Sequence, residues 1–278
     1  MTTGLMAAVL FAAFLHASWN AVVKVGTSKI GAMLIVSVAE IVLGLLVVLV
    51  RPAIDPGAWP WVIAASCTHL FYKSFLTFAY ERGDLSRVYP LARGAAPMAV
   101  ALVGAATLPD AVTAHEYAGI FVLGLGILLM ARGVFTSRED RKLLPFALGS
   151  AAATATYTLI DGMGARISGE PVGYVGWIFV GGGALFSAAM LIWKGVGVVP
   201  RRPRDWALGT AGSVASYGAY GVSIWAMTIA PIAVVAALRE TSILFAVLIG
   251  WLAFGERMDR AKGLAVGLIV TGVVLTRL

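Results

Sequence analysis

The sequence is poor in charge. Asp, Glu, Lys and Arg make up 13% of its 278 residues, about half the roughly 25% usual in soluble globular chains. Its single cysteine, Cys67, can close no internal disulfide and cannot supply a thiolate cluster for zinc or iron–sulfur. The three histidines lie far apart, at positions 16, 69 and 115, and no His/Asp/Glu cluster around them has the spacing of a metal site. What is plentiful is apolar: 60% of the residues are hydrophobic and the mean hydropathy is +0.90. A chain in water cannot hide that much apolar surface, so a cytosolic enzyme, a disordered tail and a disulfide-stapled secreted domain are excluded. Lipid is the solvent that fits.

The net charge of +7 would suggest nucleic acid in a soluble protein. Here the basic residues sit in short connections between apolar runs, with no basic, aromatic-interleaved stripe, so no nucleic-acid partner is expected. Ten stretches are long and apolar enough to span a bilayer: 4–23, 30–50, 59–80, 87–107, 115–135, 143–163, 172–194, 206–229, 231–253 and 260–276. Breaks such as Arg51-Pro52, Asp55-Pro56-Gly57, Arg82-Gly83-Asp84 and Pro200-Arg201-Arg202-Pro203 punctuate them. The first stretch lacks a small-residue cleavage site and reads as a retained helix. Lys24, Lys29, Arg82, Arg87, Arg132, Arg138, Arg141, Lys142, Lys194, Arg201, Arg202, Arg204, Arg257, Arg260 and Lys262 fall on one side of such an arrangement, against Arg51, Arg166 and Arg277 on the other. The positive-inside rule then puts the first side in the cytoplasm and both termini outside.

Residues 78–132 align with 225–277, placing Phe78-Ala79 on Trp225-Ala226, Leu85 on Ile232, Val88 on Val235 and Gly119 on Gly263. His16-Ala17-Ser18-Trp19-Asn20 falls on Thr154-Ala155-Thr156-Tyr157-Thr158. Two five-helix units follow, residues 1–135 and 143–278. Five is odd, so the second enters the membrane from the opposite face, as an inverted repeat whose halves can exchange roles around a central cavity.

Ionisable groups in hydrocarbon cost roughly 2.5–3.5 kcal/mol each on insertion scales and mark function or interhelical pairing. His16, Glu40, His69, Lys73, Arg93, Asp161, Arg239 and Glu240 stand well inside the spans. His69 and Lys73, four residues apart, share a helical face with Tyr72 close by. The fourth span opens with Tyr89-Pro90 and holds Arg93 between Pro90 and Pro97, which loosen the helix. By the repeat, Arg93 falls on Glu240; the two either meet near the axis or bind opposite ends of a zwitterion. Arg239 points roughly 100° away from Glu240, so the neighbours do not simply neutralise each other. Trp19 and Asn20 lie near His16, and Tyr217, Tyr220, Ser223 and Trp225 offer a hydroxyl-rich aromatic wall on the eighth span, which makes them candidates for a cavity wall. Trp59, Trp61, Trp193, Trp206 and Trp251 read as interfacial anchors. Gly263 and Gly267 form a GxxxG, and Gly119, Gly124, Gly126 and Gly272 thin the fifth and tenth spans, a pattern that serves packing between those spans or a homodimer.

The runs His16-Ala17-Ser18-Trp19-Asn20-Ala21-Val22-Val23-Lys24, Gly83-Asp84-Leu85-Ser86-Arg87-Val88-Tyr89-Pro90-Leu91-Ala92-Arg93-Gly94 and Phe254-Gly255-Glu256-Arg257 resemble the EamA-domain transporters of the drug/metabolite transporter superfamily. The resemblance covers nearly the whole chain as two copies of the domain. It implies an all-α integral membrane fold of ten transmembrane helices, two inverted five-helix EamA repeats around a central cavity. It further implies a multi-pass carrier of the bacterial inner membrane that exports or exchanges amino acids and other small polar metabolites. The cavity would be lined by spans 1, 3, 4, 6, 8 and 9, with spans 5 and 10 packed outside. Such carriers are generally drawn with cytoplasmic termini, against the charge count. The halves also differ: Glu256 has no clear counterpart in the first copy, where Pro109-Asp110 stands instead, and Pro97 has no proline counterpart.

The expected function is therefore a secondary transporter without cofactor, moving a small zwitterionic or anionic molecule by alternating access. Its substrate-binding residues would be His16, Trp19, Asn20, His69, Tyr72, Lys73, Tyr89, Arg93, Tyr217, Trp225, Arg239 and Glu240. A drug or lipid-linked sugar exporter is the rival within the superfamily, and three buried cations count against cationic drugs. An integral-membrane enzyme would need a nucleophile–base pair or a metal set, and the sequence displays neither.

Overall fold

A computed structural model describes residues 2–25, 28–81, 90, 92–130, 141–254 and 260–277. Among them the secondary structure is helical, with no strand. The helices are α1 (Thr3–Val25), α2 (Lys29–Val50), α3 (Trp59–Tyr80), α4 (Ala96–Thr107), α5 (Ala114–Met130), α6 (Leu144–Ser168), α7 (Pro171–Lys194), α8 (Pro203–Met227), α9 (Ile232–Arg239), α10 (Ser242–Phe254) and α11 (Arg260–Leu275). They answer to the ten expected spans, because α9 and α10 form one span with a tightened turn at Glu240-Thr241. There the amides of Glu240, Thr241 and Ile243 bond three residues back. The fourth span is interrupted at the matching place, by the turn at Ala95 just before Pro97.

Local chemistry sets the ends. Ser28 caps α2 through the Gly31 amide, and α6 stops at Gly169, whose φ of 66° a side chain would resist. Glu170 then caps α7, with Pro171 in its first turn. The sixth span runs to Ser168, five residues beyond the expected limit, since the polar Asp161 and Arg166 both find partners inside the bundle.

The result is an all-α membrane fold. Residues 3–20, 29–50, 171–194 and 232–249 are apolar enough to cross a bilayer on length and composition alone. α3, α6 and α8 have the length, at 22, 25 and 25 residues, but carry the polar groups of the interior. Leu49, Ile192, Leu252 and Leu264 are exposed on the outside, where acyl chains replace water.

Helix pairing between the halves is regular. α2 packs on α7, α5 on α11, α4 on α9, α1 on α8, and α3 on α6. Exchanging each span with the one five later returns the same set of pairs. Small residues set the closest seams. A Cβ on Gly119 would lie 2.6 Å from the Gly272 carbonyl and one on Gly126 2.9 Å from the Ala265 carbonyl, so α5 and α11 run antiparallel. In the α2–α7 seam, a Cβ on Gly44 would lie 2.5 Å from the Gly176 carbonyl and one on Gly183 2.6 Å from that of Ser37, again antiparallel. Gly263 and Gly267 do not join the α5–α11 seam, contrary to the small-residue pattern: nothing lies within 4 Å of a Cβ on either.

Candidate functional site

The centre of the bundle is polar, and each polar group there is placed by a helix. On α3 the four-residue spacing turns His69 and Lys73 to one interior side, as expected, with both residues buried. The Lys73 ammonium donates to Glu40 Oε2 on α2 at 2.5 Å and to Ser37 Oγ at 3.1 Å. Ser216 on α8 donates to the other oxygen of Glu40, at 3.4 Å. One turn away, His69 Nε2 lies 2.9 Å from Asp161 Oδ2 on α6. The Tyr220 hydroxyl on α8 donates to that same oxygen and stands 3.3 Å from the imidazole nitrogen. The His69 ring stacks on Tyr157, with centroids 4.5 Å apart, and meets Tyr72 and Tyr220 edge-on.

Of these groups, all but Ser37 and Asp161 border a cavity of about 40 Å³. That is room for about three water molecules and far below the roughly 300–1,000 Å³ of pockets that hold metabolite-sized ligands. Its walls come from both halves: His16 and Trp19 of α1, Met33, Val36 and Glu40 of α2, the α3 residues already named, Tyr157 of α6, Phe179 of α7, and Ser216 and Tyr220 of α8. Spans 2 and 7 therefore contribute to the wall beside the expected spans 1, 3, 6 and 8, while none of the described residues of spans 4 and 9 lines it.

The reason lies in Arg93 and Glu240. Arg93 Nε and Nη2 donate to the two oxygens of Glu240 at 2.7 and 2.5 Å, and both side chains are about 1% exposed. The two residues that the sequence alignment laid on each other are thus bonded to each other, and neither lines the cavity. Arg239 points elsewhere, as its neighbour's geometry required. Its Nη2 donates to Thr158 at 3.3 Å, its guanidinium lies 5.9 and 5.8 Å from the Tyr157 and Tyr220 rings, and its Nε approaches Glu240 only to 3.8 Å.

The remaining expected residues separate. The Trp19 indole donates to His16 Nδ1 at 3.2 Å at the cavity wall, and Asn20 spends its amide on the His16 carbonyl. Tyr217 donates to the Val172 carbonyl and packs on Phe179 without reaching the cavity. Trp225 is a correction: it is 40% exposed and lies off the cavity wall. Its hydroxyl neighbours misled the sequence reading, because Ser223 and Thr228 bond carbonyls of their own helix. Tyr89 lies outside the described residues. Asp161 and Tyr157 are residues whose place in the site the sequence reading missed, whereas Tyr220 does stand at the cavity. The buried carboxylate of Asp161 was the usable signal, since an aspartate in hydrocarbon needs a partner.

Charge in the interior is also more even than a count of cations suggested. Lys73, Arg93 and Arg239 share the interior with three buried carboxylates, Glu40, Asp161 and Glu240.

At one end of the bundle, polar latches tie the connections together. Arg51 Nε and Nη2 hold the two oxygens of Glu170 at 3.1 and 2.8 Å, and the Asp55 amide donates to the Ser168 carbonyl. The hydrogen bond from Arg51 keeps the Glu170 carboxyl below its ordinary range, and the same bond raises the Arg51 guanidinium. Arg166 binds Asp110 at 2.6 and 3.2 Å and also donates to the Met227 and Ala230 carbonyls, while Asp110 accepts from the Ile232 amide. The antiparallel α5–α11 seam brings the start of α5 and the C-terminal end of α11 to this same end.

Comparison with known proteins adds three findings. Residues 141–278 match the model of the EamA-like transporter family. One solved crystal structure superposes with a TM-score of 0.72, covering 99% of this chain and 96% of that one at 16% identity, which shows a shared fold alone. No protein of curated function matches the sequence.

Proposed function

The chain belongs, through residues 141–278, to the EamA-like transporter family, and from that premise we propose that it is a secondary carrier for a small zwitterionic metabolite such as an amino acid. The observation that carries this reading is the Lys73–Glu40 pair at the cavity wall. An ammonium and a carboxylate held against each other are the complement of a molecule bearing the same two groups. When the pair opens, Lys73 meets the cargo carboxylate and Glu40 its ammonium, so no buried charge is left unmatched. The even charge of the interior favours a zwitterion over a plain anion. Tyr72, Tyr157, Tyr220 and Trp19 shape the space around the cargo's side chain.

At about 40 Å³ the cavity has to widen to admit cargo, as alternating access requires. The exchange-invariant helix pairing and the antiparallel seams support a two-repeat organisation, residues 1–135 and 143–278, rocking about the site. Arg51–Glu170 and Arg166–Asp110 would then close one entrance and part when the opposite entrance shuts. The charge asymmetry supports termini on the outer face of a bacterial inner membrane.

The test is thermal unfolding of the purified protein in detergent against a panel of L-amino acids, amines and carboxylic acids. A cargo that binds only the folded state raises the melting temperature. The reading expects zwitterions to do so, with the effect lost in the paired variant Lys73→Ala/Glu40→Ala. Stabilisation by amines or acids alone would overturn it.

A further inference from the structure

Among the described residues three buried carboxylates face the interior, and two of them are committed. Glu40 holds Lys73 at 2.5 Å, and Glu240 holds Arg93 through both oxygens. Protonating either would strand a buried lysine or arginine, which is heavily penalised. Asp161 differs. Its Oδ2 is met by His69 Nε2 and the Tyr220 hydroxyl, and its Oδ1 has no hydrogen-bond partner among the described residues. Among the described residues no lysine or arginine is bonded to it, so an added proton breaks no ion pair to a cation there. His69 itself lines the cavity, which gives that proton a route to water.

We infer that the His69–Asp161 unit is the proton-carrying site of the carrier, binding one proton in each transport cycle and making a pH gradient its driving force. The proposal rests on the carrier reading for its cycle, though not for the proton site itself. A proton from water adds to the unit as a new N–H or O–H bond, and it leaves to water when the chamber faces the other side. Nothing is oxidised or reduced. The surroundings make this addition sensitive to the state of the site. From α3 itself come Tyr72 and Lys73, from α2 Glu40, from α1 His16, from α6 Tyr157 beside Asp161, and from α8 Tyr220. α7 turns Ile178, Phe179 and Gly182 toward the cavity and places the Tyr174 hydroxyl within electrostatic reach of Asp161, and from α9 the Arg239 guanidinium lies over the Tyr157 and Tyr220 rings. Cargo that separates Lys73 from Glu40 therefore changes the field at His69 one turn away, which couples cargo and proton.

Infrared difference spectroscopy on the full chain in lipid, stepped from about pH 8 to about pH 5, reads the site without any cargo. The proposal expects a histidine-ring change, together with a carboxyl change that disappears in Asp161→Asn and stays in Glu170→Gln at the latched end. Tyr220→Phe, which keeps the ring and so the packing, is expected to shift the carboxyl band by removing a hydrogen bond. A spectrum unaltered by Asp161→Asn, or a band unmoved by Tyr220→Phe, would overturn the assignment. In proteoliposomes, an imposed pH gradient is expected to drive accumulation of labelled L-amino acids, and Asp161→Asn to reduce it to simple exchange. Gradient-driven accumulation that survives Asp161→Asn defeats the proton site and leaves the carrier standing. An infrared signal without amino-acid exchange defeats the cargo assignment and leaves the proton site.

Discussion

Arg93 and Glu240, 147 positions apart, are joined by two charge-assisted hydrogen bonds of 2.7 and 2.5 Å in a place almost closed to solvent. Each belongs to the interrupted span of its own half, so the pair ties the two halves together where their helices are weakest. Removing one partner leaves a full charge buried. Glu240→Gln or Arg93→Ala is expected to cost about 3–5 kcal/mol, while an apolar double replacement such as Arg93→Met/Glu240→Leu recovers most of that loss. Thermal unfolding in detergent reads the difference, and a single variant as stable as the parent would contradict the role given to the pair.

The α5–α11 seam is held by backbone contact. Gly272→Leu places atoms against the Gly119 carbonyl and the Leu123 backbone, and overpacking of this kind costs about 1–3 kcal/mol. Gly263→Leu, on the outer face where nothing lies within 4 Å, should leave the melting temperature unchanged. Equal losses from both would mean that the GxxxG face is also packed.

Acid should loosen the latched end first. Because Arg51 holds the Glu170 carboxyl below its ordinary value of 4.5, the latch contributes fully above that pH. The contribution is lost as pH falls through the lower folded-state value. Arg51 is exposed, so the effect is modest and screened by salt. Melting temperature followed from neutral pH downward should show less acid sensitivity below about pH 4.5 in Glu170→Gln than in the parent, and identical profiles would remove Glu170 from the acid response.

Orientation is open to direct labelling. In a Cys67→Ser background, a cysteine at Gly197, where nothing lies within 4 Å of a Cβ, is expected to react with a membrane-impermeant maleimide only after the membrane is opened. One at Thr3 should react in intact cells. The reverse pattern would put the termini in the cytoplasm and set aside the charge count.

Much of this architecture was legible in the sequence because apolar length and punctuation carry it. The ten spans match helices to within a few residues at most ends, and the 147-residue register that laid Arg93 on Glu240 also brought them together in space. The shared face of His69 and Lys73 followed from helical spacing alone. What depended on helix rotation was hidden. Asp161 ends a polar stripe of its span, Ser150, Thr154, Thr158 and Asp161, but the stripe alone does not say which neighbouring helix it meets, so its pairing with His69 was hidden. Trp225 looked inward through hydroxyl neighbours that turn out to serve their own helix. Gly263 and Gly267 had the spacing of a seam, but α11 turns Gly272 and Ala265 toward α5 instead.

The central claim is that the Lys73–Glu40 chamber moves zwitterionic cargo, and counterflow in proteoliposomes tests it most directly. Vesicles loaded with an unlabelled mixture of L-amino acids should draw in labelled ones through the wild-type protein. Lys73→Ala, inserted to the same level, should fall to the rate of empty vesicles. Background counterflow in the wild type for every amino acid, or full counterflow in Lys73→Ala, would contradict it.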